Sequence, residues 1–376
     1  MCSVEGHVSF DSDGLRRAGV PHAPQVRGPR GRRPAFLQLP GFGSNMEGET
    51  MIPAARRLAR PGYTALRPIF PALATLCLLI PLAVRGAAEG AESSAGSAEP
   101  RVWHNIPYAS TARSHLLDLY LPAAGGGPFP AILWVHGGAW REGSKGLGEY
   151  PLPLRVLERG YALASINYRL AWEAKFPAQI DDVKAAVRWL RANAMAYHLD
   201  QSRIGAWGGS AGGYLVALLG TSGDVPDLEY LGLGNPRESS RVQAVVAWSA
   251  PIDFLRLDEH AAAKGCPPYE GRGHSSRSSP ESDLVGFPIT ERPERIKATN
   301  PIRYVSPDDP PFFIQHGEFD CTVAPQQSQI LYDALAPVIG PDKVTLMYLP
   351  AGHGGEPFEK DSNIRLILDF FDKYLK

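Results

Sequence analysis

Gly208-Gly209-Ser210-Ala211-Gly212 separates a strand-like run, Arg203 to Trp207, from a helix-like run, Ala211 to Leu219. A G-x-S-x-G pattern in this position puts a serine on a sharp strand-to-helix turn, which closes only if its neighbours are small. Such a turn exposes the hydroxyl at the end of a strand. The chain holds 39 glycines in 376 residues, so the pattern alone can arise by chance in a Gly-rich loop. Its meaning depends on what accompanies it.

A serine hydroxyl is a weak nucleophile and needs a base within hydrogen-bond reach. The base in turn needs a group that fixes its tautomer and stabilises its charge. Downstream of Ser210, Pro311 to Gln315 reads as a buried strand, and His316-Gly317-Glu318-Phe319-Asp320 follows it. Asp320 is the favoured acid, with Asp253 and Glu318 as rivals. Val344 to Leu349 reads as the next strand, and His353 follows it in Pro350-Ala351-Gly352-His353-Gly354-Gly355. It is the only histidine after Asp320, which makes it the candidate base. Upstream, the run Ala131 to Val135 leads into His136-Gly137-Gly138-Ala139-Trp140. Glycines there let the backbone come close to a ligand, and together with the N–H of Ala211 this loop is a candidate oxyanion site.

The organisation around these loops is alternating. His115 to Leu121, Ala131 to Val135, Tyr161 to Ile166, Arg203 to Trp207, Val242 to Trp248, Pro311 to Gln315 and Val344 to Leu349 read as strands. Short continuous apolar runs of this kind suit buried parallel strands. Leu154 to Arg159, Pro177 to Ala194, the stretch after Ser210 and Asn363 to Tyr374 read as helices. The pattern predicts an α/β fold, a mainly parallel central sheet with helices on both faces. From about Asp253 to Pro301 the alternation stops, and Gly, Pro, Ser and charge replace periodicity. That segment reads as an irregular, lid-like insertion, against the alternative of a disordered excursion.

Net charge is −1. No basic stripe marks residues 101–376, which argues against nucleic acid as a partner. No H-x-H or H-E-x-x-H pair is present, so neither a metal nor another cofactor is expected. The first hundred residues differ: they hold many arginines and no lysine, the first being Lys145. Residues 1–50 read as a leader without apolar periodicity, with translation expected to begin at Met46 or Met51. Residues 51–91 combine arginines, the apolar run Ile69 to Val84 and a small-residue stretch, the layout of a secretory signal peptide. A membrane span is the competitor, but the run is short and carries Pro71 and Pro81. Residues 92–100 form a polar spacer, and 101–376 the folded domain. The expected location is outside the cytoplasm, periplasmic or secreted, with no stable membrane span in the mature chain.

Cys2 and Cys77 fall in the leader and the apolar run, leaving Cys266 and Cys321. An even pair in an oxidising compartment suggests a disulfide; two buried free thiols are the alternative. Trp140, Tyr214 and Trp248 read as packing residues, with Trp140 and Tyr214 also placed to line a pocket beside the two loops. Arg169 and Asp181 are expected to form a structural ion pair or hydrogen bond near the sheet.

These stretches, with Asn167-Tyr168-Arg169-Leu170 and Asp181-Asp182, resemble serine esterases of the α/β-hydrolase superfamily. In that superfamily the chain order is serine, acid, histidine, as in Ser210, Asp320 and His353. More narrowly, the chain resembles hormone-sensitive-lipase-like carboxylesterases and bacterial acetyl and feruloyl esterases acting on plant polysaccharide. The resemblance covers Arg101 onward. It implies an α/β-hydrolase fold, an acyl-enzyme mechanism, and oxyanion donors at Gly138 and Ala139, with Gly137 as the fallback. The lipase-like pattern usually has a third glycine where Ala139 stands. That departure, and the bulk of Trp140, point to short acyl groups on a small-molecule or polysaccharide-linked ester. The competing readings are an amide hydrolase, formamidase- or exopeptidase-like, and a non-catalytic binding protein on the same scaffold.

Overall fold

The computed structural model describes residues 100–148 and 152–376. The expected leader, the signal peptide and the spacer up to residue 99 lie outside the described residues, as do Cys2 and Cys77. Eight strands form one sheet: β1 (Arg101–Pro107), β2 (Leu116–Leu121), β3 (Phe129–Val135), β4 (Ala162–Ile166), β5 (Leu199–Gly209), β6 (Ala244–Trp248), β7 (Phe312–Gly317) and β8 (Val344–Leu349). Their spatial order is β1-β2-β4-β3-β5-β6-β7-β8. β2 pairs antiparallel with both β1 and β4. Every pairing from β4 through β8 is parallel. β5, which leads to Ser210, is therefore central.

Alternate side chains along the strands feed two cores. On one face, Ala131, Leu133 and Val135 of β3 pack with α1 (Ala178–Ala192) and α2 (Ala211–Thr221). On the other, Ile132 and Trp207 pack with Ile364, Leu368 and Phe371. Strands buried on both faces have no polar side to show, which is why they read as continuous apolar runs. β1 has no such run and lies largely exposed at the sheet edge.

The segment after β6 is built of short helices rather than irregular chain. It contains α3 (Leu257–Lys264), α4 (Pro280–Val285) and α5 (Pro293–Ile296), joined by 3₁₀ turns. Each is too short to display a helical period, but the ends are marked. Ser279 caps α4 by accepting from the N–H of Ser282, Pro280 opens it, and Gly286 closes it with a left-handed backbone. After it come α6 (Gln326–Ile339), α7 (Glu356–Glu359) and α8 (Asp361–Leu375). The mainly parallel sheet with helices on both faces is the α/β-hydrolase fold. No helix among the described residues is long and apolar enough to cross a membrane.

Candidate active site

Ser210 sits between the last residue of β5 and the first of α2 with φ 56° and ψ −122°. A non-glycine residue at positive φ is uncommon and strained. The turn holds it because both flanking glycines are needed. A Cβ on Gly208 would lie 2.5 Å from the carbonyl oxygen of Gly212, and one on Gly212 would lie 2.0 Å from that of Val135. The helix thus starts hard against β3, and the serine side chain is pushed out of the strand end.

His353 reaches it from the loop after β8. Its Nε2 lies 2.8 Å from Ser210 Oγ, and its Nδ1 lies 2.7 Å from Asp320 Oδ2. Asp320 follows β7 and is buried, whereas the His353 side chain is 27% exposed. The two loops touch at Gly317, where a Cβ would meet the carbonyl oxygen of Gly352 at 1.9 Å. Only glycine permits that approach.

Asp320 Oδ1 accepts from the N–H groups of Thr322 and Val323, at 2.8 and 2.9 Å. Burial by itself would raise the carboxyl's pKa. Hydrogen bonds from His316 and His353 outweigh it and hold the group well below the usual carboxylate range. The rival acids lie elsewhere. Asp253 accepts from the N–H of Leu255 and caps a 3₁₀ turn, and Glu318 is exposed, with its N–H donating to Leu349.

Gly138, Ala139 and Trp140 all have positive φ, at 105°, 53° and 58°. Alanine at the third position of this loop therefore takes the backbone conformation that glycine would adopt more cheaply. Among the described residues, the N–H groups of Gly138, Ala139 and Ala211 donate to no protein acceptor. Gly137 faces the serine: a Cβ there would come 3.3 Å from Ser210 Cβ.

The loop is held by the Asn167-Tyr168-Arg169-Leu170 segment. Tyr168 donates to the carbonyl of His136 at 3.0 Å and stacks on its ring at 4.3 Å. The N–H of Ala171 donates to the carbonyl of Trp140 at 2.7 Å. Burial pushes the His136 imidazole down to a pKa of about 4, against the opposing hydrogen bond to Gly137. Arg169 does not pair with Asp181 as the sequence reading expects. It grips Asp182, with Nη2 at 2.6 Å from Oδ1 and Nε at 2.9 Å from Oδ2, and His115 Nε2 meets the same carboxylate at 2.9 Å. Asp182 is fully buried beneath the segment, while Asp181 points to another loop and accepts from the N–H of Tyr230.

A cavity of about 30 Å³ adjoins the serine, lined by Ser210, Ala211, Ala139, Trp140, His274 and Glu281 among others. Trp140 borders it. Tyr214 does not: it is fully buried behind Trp140, ring centroids 5.3 Å apart, and its hydroxyl donates to the carbonyl of Thr299. A tyrosine on the first turn of α2 points into the core beneath the loop rather than across it. Trp248 packs edge-on against Trp207 at 5.0 Å. Cys266 and Cys321 are joined as a disulfide, with Cα atoms 5.4 Å apart. His274, Glu281 and His316 escaped the sequence reading as site residues. The first two lie in short helices and turns without a motif, and His316 stands beside Asp320 with no signal of its own. Among the described residues, no group of three or more His, Cys, Asp or Glu could hold a metal ion.

This geometry can pass a proton from the Ser210 hydroxyl to His353, leave the imidazolium facing a carboxylate, and offer backbone donors to a nearby oxyanion.

The chain is similar to proteins named as esterases. Residues 117–335, more than half of the chain, match the BD-FAE family. Esterase LipQ of Mycobacterium tuberculosis is 32% identical over 273 residues, covering 72% of this chain and 61% of that protein. The chain spans between 52% and 61% of the length of the first curated relatives it matches. A truncated carbohydrate esterase from gut microbiota superposes with a TM-score of 0.65 at 32% identity, covering 74% of this chain and 98% of that one. A bifunctional GH43-CE protein of Bacteroides eggerthii gives 0.64 at 34% identity, covering 72% and 38%. The chain belongs to the BD-FAE family, a family of α/β-hydrolase esterases.

Proposed function

We propose that the protein is a serine carboxylesterase that removes short, acetyl-type acyl groups, with Ser210, His353 and Asp320 as its triad. The observation that carries this reading is the continuous hydrogen-bond line from Ser210 Oγ through His353 to Asp320. Ser210 attacks the ester carbonyl as His353 Nε2 takes its proton. Asp320 holds the imidazole with Nδ1 protonated and stabilises the imidazolium. The N–H of Ala211, with those of Gly138 and Ala139, receives the oxyanion; one such donor is worth about 3 kcal/mol of barrier. His353 returns the proton to the departing alcohol, and water then releases the acid from the acyl-enzyme.

The small cavity beside Ser210 supports a short acyl group. A polysaccharide-linked alcohol is supported by the carbohydrate esterases among the similar structures. The disulfide supports a location in an oxidising compartment outside the cytoplasm.

The test is turnover of nitrophenyl acetate, an acetylated xylan and a peptide amide, with Ser210→Ala as control. Acetate and xylan hydrolysis, lost in the variant, is the expected result. Amide turnover without ester turnover would favour an amide hydrolase, and ester turnover surviving the substitution would overturn the assignment.

A further inference from the structure

Two side chains in the wall of the 30 Å³ cavity carry chemistry that the triad does not use. His274 is buried, with Nδ1 3.0 Å from Glu281 Oε1 and Nε2 3.1 Å from the carbonyl oxygen of Thr322. Both ring nitrogens face oxygen atoms, and an imidazolium can donate to both. Burial opposes that charge, but the Glu281 hydrogen bond and charge overcome it and raise the His274 pKa. The Tyr269 ring stacks on the imidazole at 4.6 Å.

Glu281 is 2% exposed and lines the cavity. Its Oε1 is taken by His274, while Oε2 is buried and has no hydrogen-bond partner among the described residues. Buried carboxylate oxygens are nearly always satisfied, so one left without a partner on a residue that lines a cavity calls for a donor. The space holds one water or one small substituent.

His353 is not among the residues lining this cavity. The leaving alcohol must receive its proton from His353, so it belongs on the side where that ring is exposed. The cavity therefore faces the other substituent of the carbonyl, the acyl group.

We propose that Glu281 reads the acyl group: its free Oε2 accepts a hydrogen bond from a hydroxyl on the carbon next to the carbonyl, so that short α-hydroxyacyl esters are preferred over apolar ones of equal size. This rests on the esterase reading of Ser210. His274 acts as a positioning residue, holding the carboxylate turned so that its Oε2 is left without a partner.

Glycolate and propionate esters of one alcohol have acyl groups of equal heavy-atom count and differ by a hydroxyl in place of a methyl. The experiment measures the glycolate-to-propionate ratio of kcat/KM for the wild type and for His274→Leu/Glu281→Met, which replaces both partners by apolar side chains. Each ratio is internal, so a general loss of activity and the intrinsic reactivity of the esters cancel between proteins. The expected result is a fall in the ratio of at least about tenfold in the variant, because a site built around a hydrogen bond rejects the analogue that lacks it. A ratio unchanged within about twofold overturns the proposal and leaves the cavity as the seat of an ordered water. Should the variant not fold, product inhibition of the wild type decides instead. Glycolate should inhibit at a concentration about tenfold or more below propionate, and equal inhibition overturns the proposal. Wild type without activity on nitrophenyl acetate would mark failure of the esterase reading itself, a separate outcome.

Discussion

His316 and His353 converge on one oxygen of Asp320: His316 Nε2 lies 3.2 Å from Oδ2, and His353 Nδ1 lies 2.7 Å from the same atom. His316 is fully buried and also bonds Ser328 Oγ and the carbonyl oxygen of Val323, so it cannot swing away. The carboxylate is thereby locked from both sides.

Asp320→Asn keeps the shape but turns an acceptor into a donor against His353 Nδ1. The favoured tautomer then reverses, and kcat/KM on nitrophenyl acetate should fall by about 10³- to 10⁴-fold. Circular dichroism should still show a folded protein. Activity within tenfold of wild type would remove Asp320 from the triad.

Asp182 and Asp181 give a paired test of what holds the oxyanion loop. Asp182→Ala leaves Arg169 and His115 facing an empty, buried site, and a broken buried pair costs about 3–5 kcal/mol. Asp181→Asn keeps an oxygen for the N–H of Tyr230 and should cost less than about 1 kcal/mol. Urea unfolding midpoints measure both, and equal losses would contradict the assignment of Arg169 to Asp182.

His136 predicts a pH dependence. Its imidazole titrates near 4 in the folded protein, against about 6.5 when unfolded. Below 6.5 the unfolded chain binds the proton first, so stability falls with acid between about 6.5 and 4 and is fully present above that window. The slope is at most about 1.4 kcal/mol per pH unit, roughly 3 kcal/mol in all. His136→Phe keeps the stack on Tyr168 and removes the titration. Comparing unfolding midpoints of the two proteins from pH 7 to 4.5 isolates the effect, and identical pH slopes would refute it.

The disulfide closes a loop with a sequence separation of 55. In the chain-entropy account such a bridge is worth about 4 kcal/mol. Cys266→Ser/Cys321→Ser should therefore melt at a lower temperature and, because Cys321 adjoins Asp320, turn over nitrophenyl acetate more slowly than wild type. An unchanged melting temperature would show that the short helices around Cys266 are held without it.

What could be read from the chain, and what could not, follows from how each feature is encoded. The strand ends carrying Ser210, Asp320 and His353 are apolar runs that stop at glycine-rich loops, so both the strand and its exit are local signals. β1 left no such trace, since an exposed edge strand needs no apolar face. The sequence does not tell the partner of Arg169, because Asp181 and Asp182 are adjacent on α1 and point roughly 100° apart; only the packing tells which one meets the guanidinium. His274 lies in a turn and Glu281 in the six-residue α4, where no period develops.

The backbone at Ser210 has one further implication. Glycine would occupy φ 56° without strain, and serine stores an estimated 1–3 kcal/mol there. A library selected only for heat resistance would thus enrich for glycine at 210 and discard the hydroxyl. Thermal robustness and turnover are set against each other at a single torsion angle, so screens for sturdier variants of this protein need an activity gate to keep the residue that makes it useful.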